Sequence, residues 1–212
     1  MKYNIHTHFP IENSDHFQLI NHYPKDVFSS KENYSIGIHP WYIENQFSEE
    51  NLHNLFLHLK KEKCLAIGEC GLDKKISVDF NLQKKVFLQQ IDLAIQVNKP
   101  IIVHCVGAFQ EIMELKKQFT TNIPMIFHGF SKNIQVANWL IKNGNYLSFG
   151  HHLLENPKVQ HTFKNVSVEC IFLETDANQS IIIDELYDKA SNLLNKNVEA
   201  IIEKNFKQLF KD

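Results

Sequence analysis

Short, almost unbroken apolar runs recur along this chain and alternate with longer stretches whose apolar residues fall at helical spacing. That alternation is its strongest constraint on fold. The runs are Tyr3–His8, Ser35–His39, Leu65–Cys70, Ile101–Cys105, Met125–His128, Tyr146–Gly150 and Ile171–Asp176, with a weaker one at Phe17–Ile20. Between them, residues 49–62 and 80–97 carry Leu, Phe, Ile and Val three and four apart, and Asn133–Lys142 does so more briefly. A strand that is apolar on both faces needs cover on both faces, which is how parallel strands joined by helices are built.

Eight such runs predict an α/β fold, a TIM-type (β/α)8 barrel, and the lack of repeats or Pro/Gly/Ser-rich linkers predicts a single domain over residues 1–212. The typical barrel needs roughly 250 residues, so this one is slightly truncated. Too few residues separate His8 from Phe17 for a parallel crossover with a helix, which takes a dozen or more. The first crossover helix is therefore expected to be missing or reduced to a loop. The stretch Asp184–Phe210 predicts two helices on the outside or end of the barrel.

Composition narrows the function classes. With 43% hydrophobic and 22% charged residues the chain is not of the disordered or fibrous kind. A formal net charge of -2 lacks the broad basic footprint of a protein that grips long nucleic acid, so electrostatic affinity for a strand is expected to be low. All 22 basic residues are lysines, so a phosphate would be held by lysine, backbone N–H groups, histidine or metal. No apolar run approaches the roughly 20 residues that span a bilayer, and histidines interrupt the first residues where a signal peptide would be apolar. The four cysteines show no C-x-x-C spacing. These features predict a cytoplasmic protein with no membrane association and no evident obligate protein partner.

Polar residues recur where the runs end. His6 and His8 lie two apart on the first run, so their side chains share a side. Glu69 falls in Gly68-Glu69-Cys70-Gly71-Leu72-Asp73, and His104 and His128 close Ile101-Ile102-Val103-His104 and Met125-Ile126-Phe127-His128. Glu174 and Asp176, again two apart, close Ile171-Phe172-Leu173-Glu174-Thr175-Asp176. Barrels build active sites at the C-terminal ends of their strands. Imidazoles and carboxylates gathered there are ligands for divalent ions such as zinc or manganese, and a cation removes the cost of sinking carboxylates among apolar side chains.

Each residue also has a plainer use. Asp176 could cap a helix, Glu174 and His39 could make structural hydrogen bonds, and Asp73 could fix the glycine-rich turn. His151 and His152 read as loop residues. Trp41 and Tyr42 could stack on a base, although packing of the rim is the simpler use. The lysine pairs at 60–61, 74–75, 84–85 and 116–117 read as solvated positions.

Taken in order, these motifs resemble the TatD-type metal-dependent hydrolases, a family described as deoxyribonucleases within the amidohydrolase-like barrels. The matching stretches are Asn4-Ile5-His6-Thr7-His8, Gly37-Ile38-His39-Pro40, the Gly68–Asp73 segment, Lys99–His104, His128-Gly129-Phe130-Ser131, Leu173-Glu174-Thr175-Asp176-Ala177 and the closing Asn205–Phe210. The resemblance implies two divalent ions (Mg, Mn or Zn). His6, His8 and Asp176 would hold one, His104 and His128 the other, and Glu69 would bridge them. Asp176 and Glu69 are then the catalytic carboxylates, Glu174 orients a ligand or water, and His39 contacts the substrate phosphate. The implied substrate is a phosphoester, with the ends of single-stranded DNA as its form. Two departures fall on substrate-binding positions: Val106 and Asn178 stand where the family pattern has an arginine and a proline. The alternatives are a small-molecule amidohydrolase that cleaves C–N bonds with the same residues, or a non-catalytic metal-binding relic.

Overall fold

The structure is a computed structural model that describes residues 1–12, 14–28 and 31–210. In chain order its elements are β1 (Tyr3–Thr7), β2 (Phe17–His22), β3 (Tyr34–Ile36), α1 (Ile43–Gln46), α2 (Glu49–Leu59), β4 (Cys64–Asp73), α3 (Phe80–Val97), β5 (Ile101–Val106), α4 (Phe109–Lys116), β6 (Met125–Phe127) and α5 (Ile134–Lys142). They continue with β7 (Tyr146–Phe149), α6 (His152–Glu155), α7 (Pro157–Asn165), β8 (Ile171–Leu173), α8 (Ile183–Leu194) and α9 (Val198–Phe210). The eight strands form one sheet in the order β1 to β8. A parallel bridge between Thr7 and Asp176 ties the end of β1 to the segment just past β8, the return to the first strand that a TIM-type (β/α)8 fold requires. Among the described residues no helix joins β1 to β2, as the short spacing predicted; none joins β2 to β3 either.

The chain divides into two compact units, one of Met1–Ile20 with Ile126–Asp212 and one of Asn21–Met125. In the first, Tyr3, Phe17 and Phe206 form an aromatic cluster with ring centroids 4.5 to 5.3 Å apart. Tyr187 of α8 locks β1 in place, because its hydroxyl accepts the Tyr3 N–H at 2.8 Å and donates to the Tyr3 carbonyl at 3.1 Å. Helix starts follow the side-chain oxygens available. Asn133 accepts the Val136 N–H ahead of α5, and Asn156 accepts the Lys158 N–H ahead of Pro157, the first residue of α7.

In the second unit α3 begins at the Asp79 cap and ends at Asn98, whose φ of 52° makes a left-handed stop. Lys99 follows, its ammonium on the carbonyls of Leu59 at 2.5 Å, Lys61 at 3.1 Å and Cys64, so a cation covers the C-terminus of α2. Two buried glutamines of α3, seven residues apart, reach the backbone at the end of β4 and just past β3. Gln90 accepts the Ile38 N–H at 2.7 Å and donates to the Ile38 carbonyl at 3.1 Å; Gln83 does the same for Asp73 at 2.8 and 3.1 Å. Lys116, expected to be solvated, is only 6% exposed.

Strand ends differ from the sequence expectation in ways that matter for the site. β4 runs on to Asp73, so Glu69 lies within the strand rather than at its end. Gly71 permits that extension, since a Cβ there would meet the His104 carbonyl oxygen at 2.0 Å. β3 stops at Ile36, and His39 instead caps the turn Pro40–Tyr42. β8 stops at Leu173, and Asp176 has a φ of 54°, a left-handed backbone that aspartate tolerates better than most residues.

Candidate metal centre

In the first unit, β1 and the segment after β8 bring three of the expected ligands together through the backbone. Asp176 N–H donates to the His6 carbonyl at 3.0 Å, and His8 N–H donates to the Asp176 carbonyl at 3.1 Å. Asn4 strengthens the join: its amide donates to Thr175 Oγ1 at 2.8 Å and its oxygen accepts the Thr175 N–H at 3.1 Å. As a result His6 Nε2 and His8 Nε2 each lie 3.5 Å from Asp176 Oδ1. His128, just past β6, joins them with its ring centroid 4.7 Å from that of His6 and its Nδ1 3.9 Å from Asp176 Oδ2. Its Nδ1 is also 3.4 Å from Oε1 of Glu174, which accepts the Gly129 N–H at 2.6 Å. Glu174 is fully buried, whereas the Asp176 side chain is 35% exposed.

These separations are long for hydrogen bonds but suit ligands of one ion. Donors bound at about 2.1 Å around a tetrahedral or octahedral ion sit roughly 3.0 to 3.4 Å from one another. Glu174 Oε2, buried and without a hydrogen-bond partner among the described residues, is a further polar atom that a cation or an ordered group would satisfy. The donor set therefore fits a divalent ion.

The second unit holds another group. Glu69, buried on β4, places Oε1 2.8 Å from His104 Nδ1 and 3.1 Å from His39 Nε2. His39 Nδ1 accepts the Trp41 N–H at 3.1 Å, so the neutral ring carries its hydrogen on Nε2 and donates it to Glu69. Asn21 accepts the Glu69 N–H at 2.5 Å. Cys70 alternates away from Glu69 into the core, where burial pushes its thiol well above the usual range and leaves it unsuited to ligation.

Asp73 does more than fix the turn. It accepts the Lys75 N–H at 2.8 Å on Oδ1 and the Trp41 indole N–H at 2.8 Å on Oδ2, which also stands 3.4 Å from His104 Nε2. Burial alone would raise its pKa, but the hydrogen bonds from Trp41, Lys75 and His104 outweigh burial and hold the carboxyl below its usual range. Sequence reasoning missed this contact, as it missed Gln83 and Gln90. The only available signal was an aspartate ending a glycine-containing run. His151 and His152 are both exposed, with ring centroids 3.9 Å apart at 41°, but His152 opens helix α6 rather than lying in a loop.

The family model described as TatD related DNase matches residues 4–211. An uncharacterized metal-dependent hydrolase of Buchnera aphidicola subsp. Baizongia pistaciae is 34% identical over 151 residues, 68% of this chain and 55% of that protein. The 3'-5' RNA nuclease TATDN2 of Homo sapiens is 30% identical over 150 residues, 68% of this chain and 20% of that protein. The chain thus spans about half the length of the first relative and a fifth of the second. YJJV, a TatD homolog of Escherichia coli K12, superposes with a TM-score of 0.74 at 22% identity, over 87% of this chain and 78% of that one, and so shares the fold. Because that family model matches almost the whole chain, residues 4–211, this chain belongs to the family of TatD related DNases.

Proposed function

We propose that the chain is a metal-dependent hydrolase of phosphoester bonds, acting on the ends of single-stranded DNA with two divalent ions (Mg, Mn or Zn). The observation that carries this reading is the first unit's group of three histidines and two carboxylates, set at the separations of ligands around an ion. His6, His8 and Asp176 would hold one ion and His104 and His128 the other, with Glu69 shared. When bound, such ions polarise a phosphoryl oxygen and lower the pKa of a water.

The residues divide the remaining work by exposure. Asp176, the open carboxylate, takes the proton of the attacking water; buried Glu174 cannot reach solvent and instead holds His128 and the Gly129 turn. His39 orients Glu69 through its Nε2–H, and Asp73 steadies His104 from the other ring nitrogen. The relative named as a 3'-5' RNA nuclease supports nucleic acid as the substrate class.

The test is hydrolysis of a base-free chromogenic phosphodiester and of a single-stranded oligonucleotide in Mn²⁺ or Mg²⁺. Activity should vanish in EDTA and fall about 100-fold or more in His104→Ala. EDTA-resistant turnover, or full activity in that variant, overturns the mechanism. Inorganic phosphate should compete; an amidohydrolase would be indifferent to it.

A further inference from the structure

Trp41 is 53% exposed although its indole is pinned, and it stands beside two residues of the candidate site. Its ring lies edge-on to His39, with centroids 5.1 Å apart at 90°, and to His104, at 5.8 Å and 75°. Among the described residues no ring lies parallel on it. Tyr42, 38% exposed, extends the aromatic surface through His39 at 5.6 Å. Packing of the rim would have covered this indole; instead the hydrogen bond to Asp73 fixes its plane and leaves a large part of the ring in solvent. A ring held in place before binding loses little rotamer freedom when something stacks on it.

A cation is tied to the same anchor. The Asp73 carboxylate takes the indole N–H on one oxygen and the Lys75 backbone N–H on the other, while the Lys75 side chain is exposed and makes no ion pair among the described residues. We infer that Trp41, with Tyr42 beside it, is a stacking platform for an unpaired nucleobase of the substrate strand, and that Lys75 takes a neighbouring phosphate. This rests on the phosphoester reading above and adds single-strand recognition to it. Base stacking tolerates any base, which suits a chain with no arginine to read base edges.

The chain has two tryptophans, so Trp139→Phe makes Trp41 the sole indole emitter without touching the platform. This variant is titrated, in EDTA to prevent cleavage and up to millimolar strand, with oligothymidylate and with an abasic strand of equal length. The expected result is quenching by oligothymidylate and little by the abasic strand. In the otherwise native chain, Trp41→Ala should weaken oligothymidylate binding about 10-fold with an unchanged salt slope, and Trp41→Phe should restore most of it. Lys75→Gln should lower the salt slope by about 0.7. Equal quenching by both strands, or none, overturns the platform, and an unchanged slope removes Lys75 from it. Metal-dependent hydrolysis of the base-free diester without base-dependent quenching defeats this inference alone. Base-dependent quenching without such hydrolysis defeats the phosphoester reading instead.

Discussion

A single glutamine shows how closely the site depends on individual hydrogen bonds. Gln90 reaches from α3 to satisfy both backbone groups of Ile38, the residue before His39, from 52 positions away in sequence. No strand partner for those groups is needed while the amide is there. Gln90→Leu would leave a buried donor and a buried acceptor without their partner, at about 1–3 kcal/mol each. Urea unfolding should show a loss of about 2–6 kcal/mol with an unchanged m-value; a change below 0.5 kcal/mol would mean the amide is replaceable. The candidate ligands themselves were legible because histidines and carboxylates at the ends of apolar runs stand out against their neighbours. Gln90, Gln83 and the Asp73–Trp41 pair were not, since nothing local distinguishes a glutamine facing solvent from one reaching a backbone 52 residues away.

At the level of elements, the long apolar periods were the most legible part. The spacing predicted a helix over 80–97, and α3 occupies Phe80–Val97. Strand ends were less legible, because β3 and β8 stop where caps and a left-handed aspartate intervene rather than where apolarity stops. Helix α4 carries the clearest reversal: Lys116, one of a pair that looked solvated, is buried, and burial lowers its ammonium to about 8. The folded pKa lies below the unfolded value near 10.4, so the unfolded chain binds more protons between them and stability rises with pH across that window. Below pH 8 both states are protonated and the full cost of burying the charge remains. Lys116→Met should therefore gain about 1–3 kcal/mol at pH 7 and lack this rise, leaving the two chains closer in stability at pH 10.5. Parallel curves for the two proteins would contradict the burial of a charge at this position.

At the scale of the whole molecule, ions that bind only the folded chain add their binding free energy to its stability. Ion at 100 times its dissociation constant contributes about 2.7 kcal/mol, which for a chain of this size raises Tm by about 5–10 °C. Calorimetry with Mn²⁺ or Zn²⁺ against EDTA should show that rise in the native chain and much less in His6→Ala, which keeps Asp176 but loses a candidate ligand. An unfolding temperature indifferent to every divalent ion would argue that the histidines and carboxylates serve packing alone.

Sequence by itself determined the class of fold and the kinds of donor, because strand and helix periods and two-residue spacings are local properties. The two-residue spacing of His6 and His8 suggested a shared side by strand alternation, although β1 itself ends at Thr7 and His8 lies one residue beyond it. Which donors meet was decided only in the tertiary structure. Asp176 reaches His6 and His8 because the chain after β8 pairs with β1 and Asn4 clamps Thr175 from 171 positions away. Trp41 is held open beside His104 because Asp73 accepts its indole. Such contacts depend on strand register and on close approach of distant backbone, quantities set by packing between elements that no local pattern encodes.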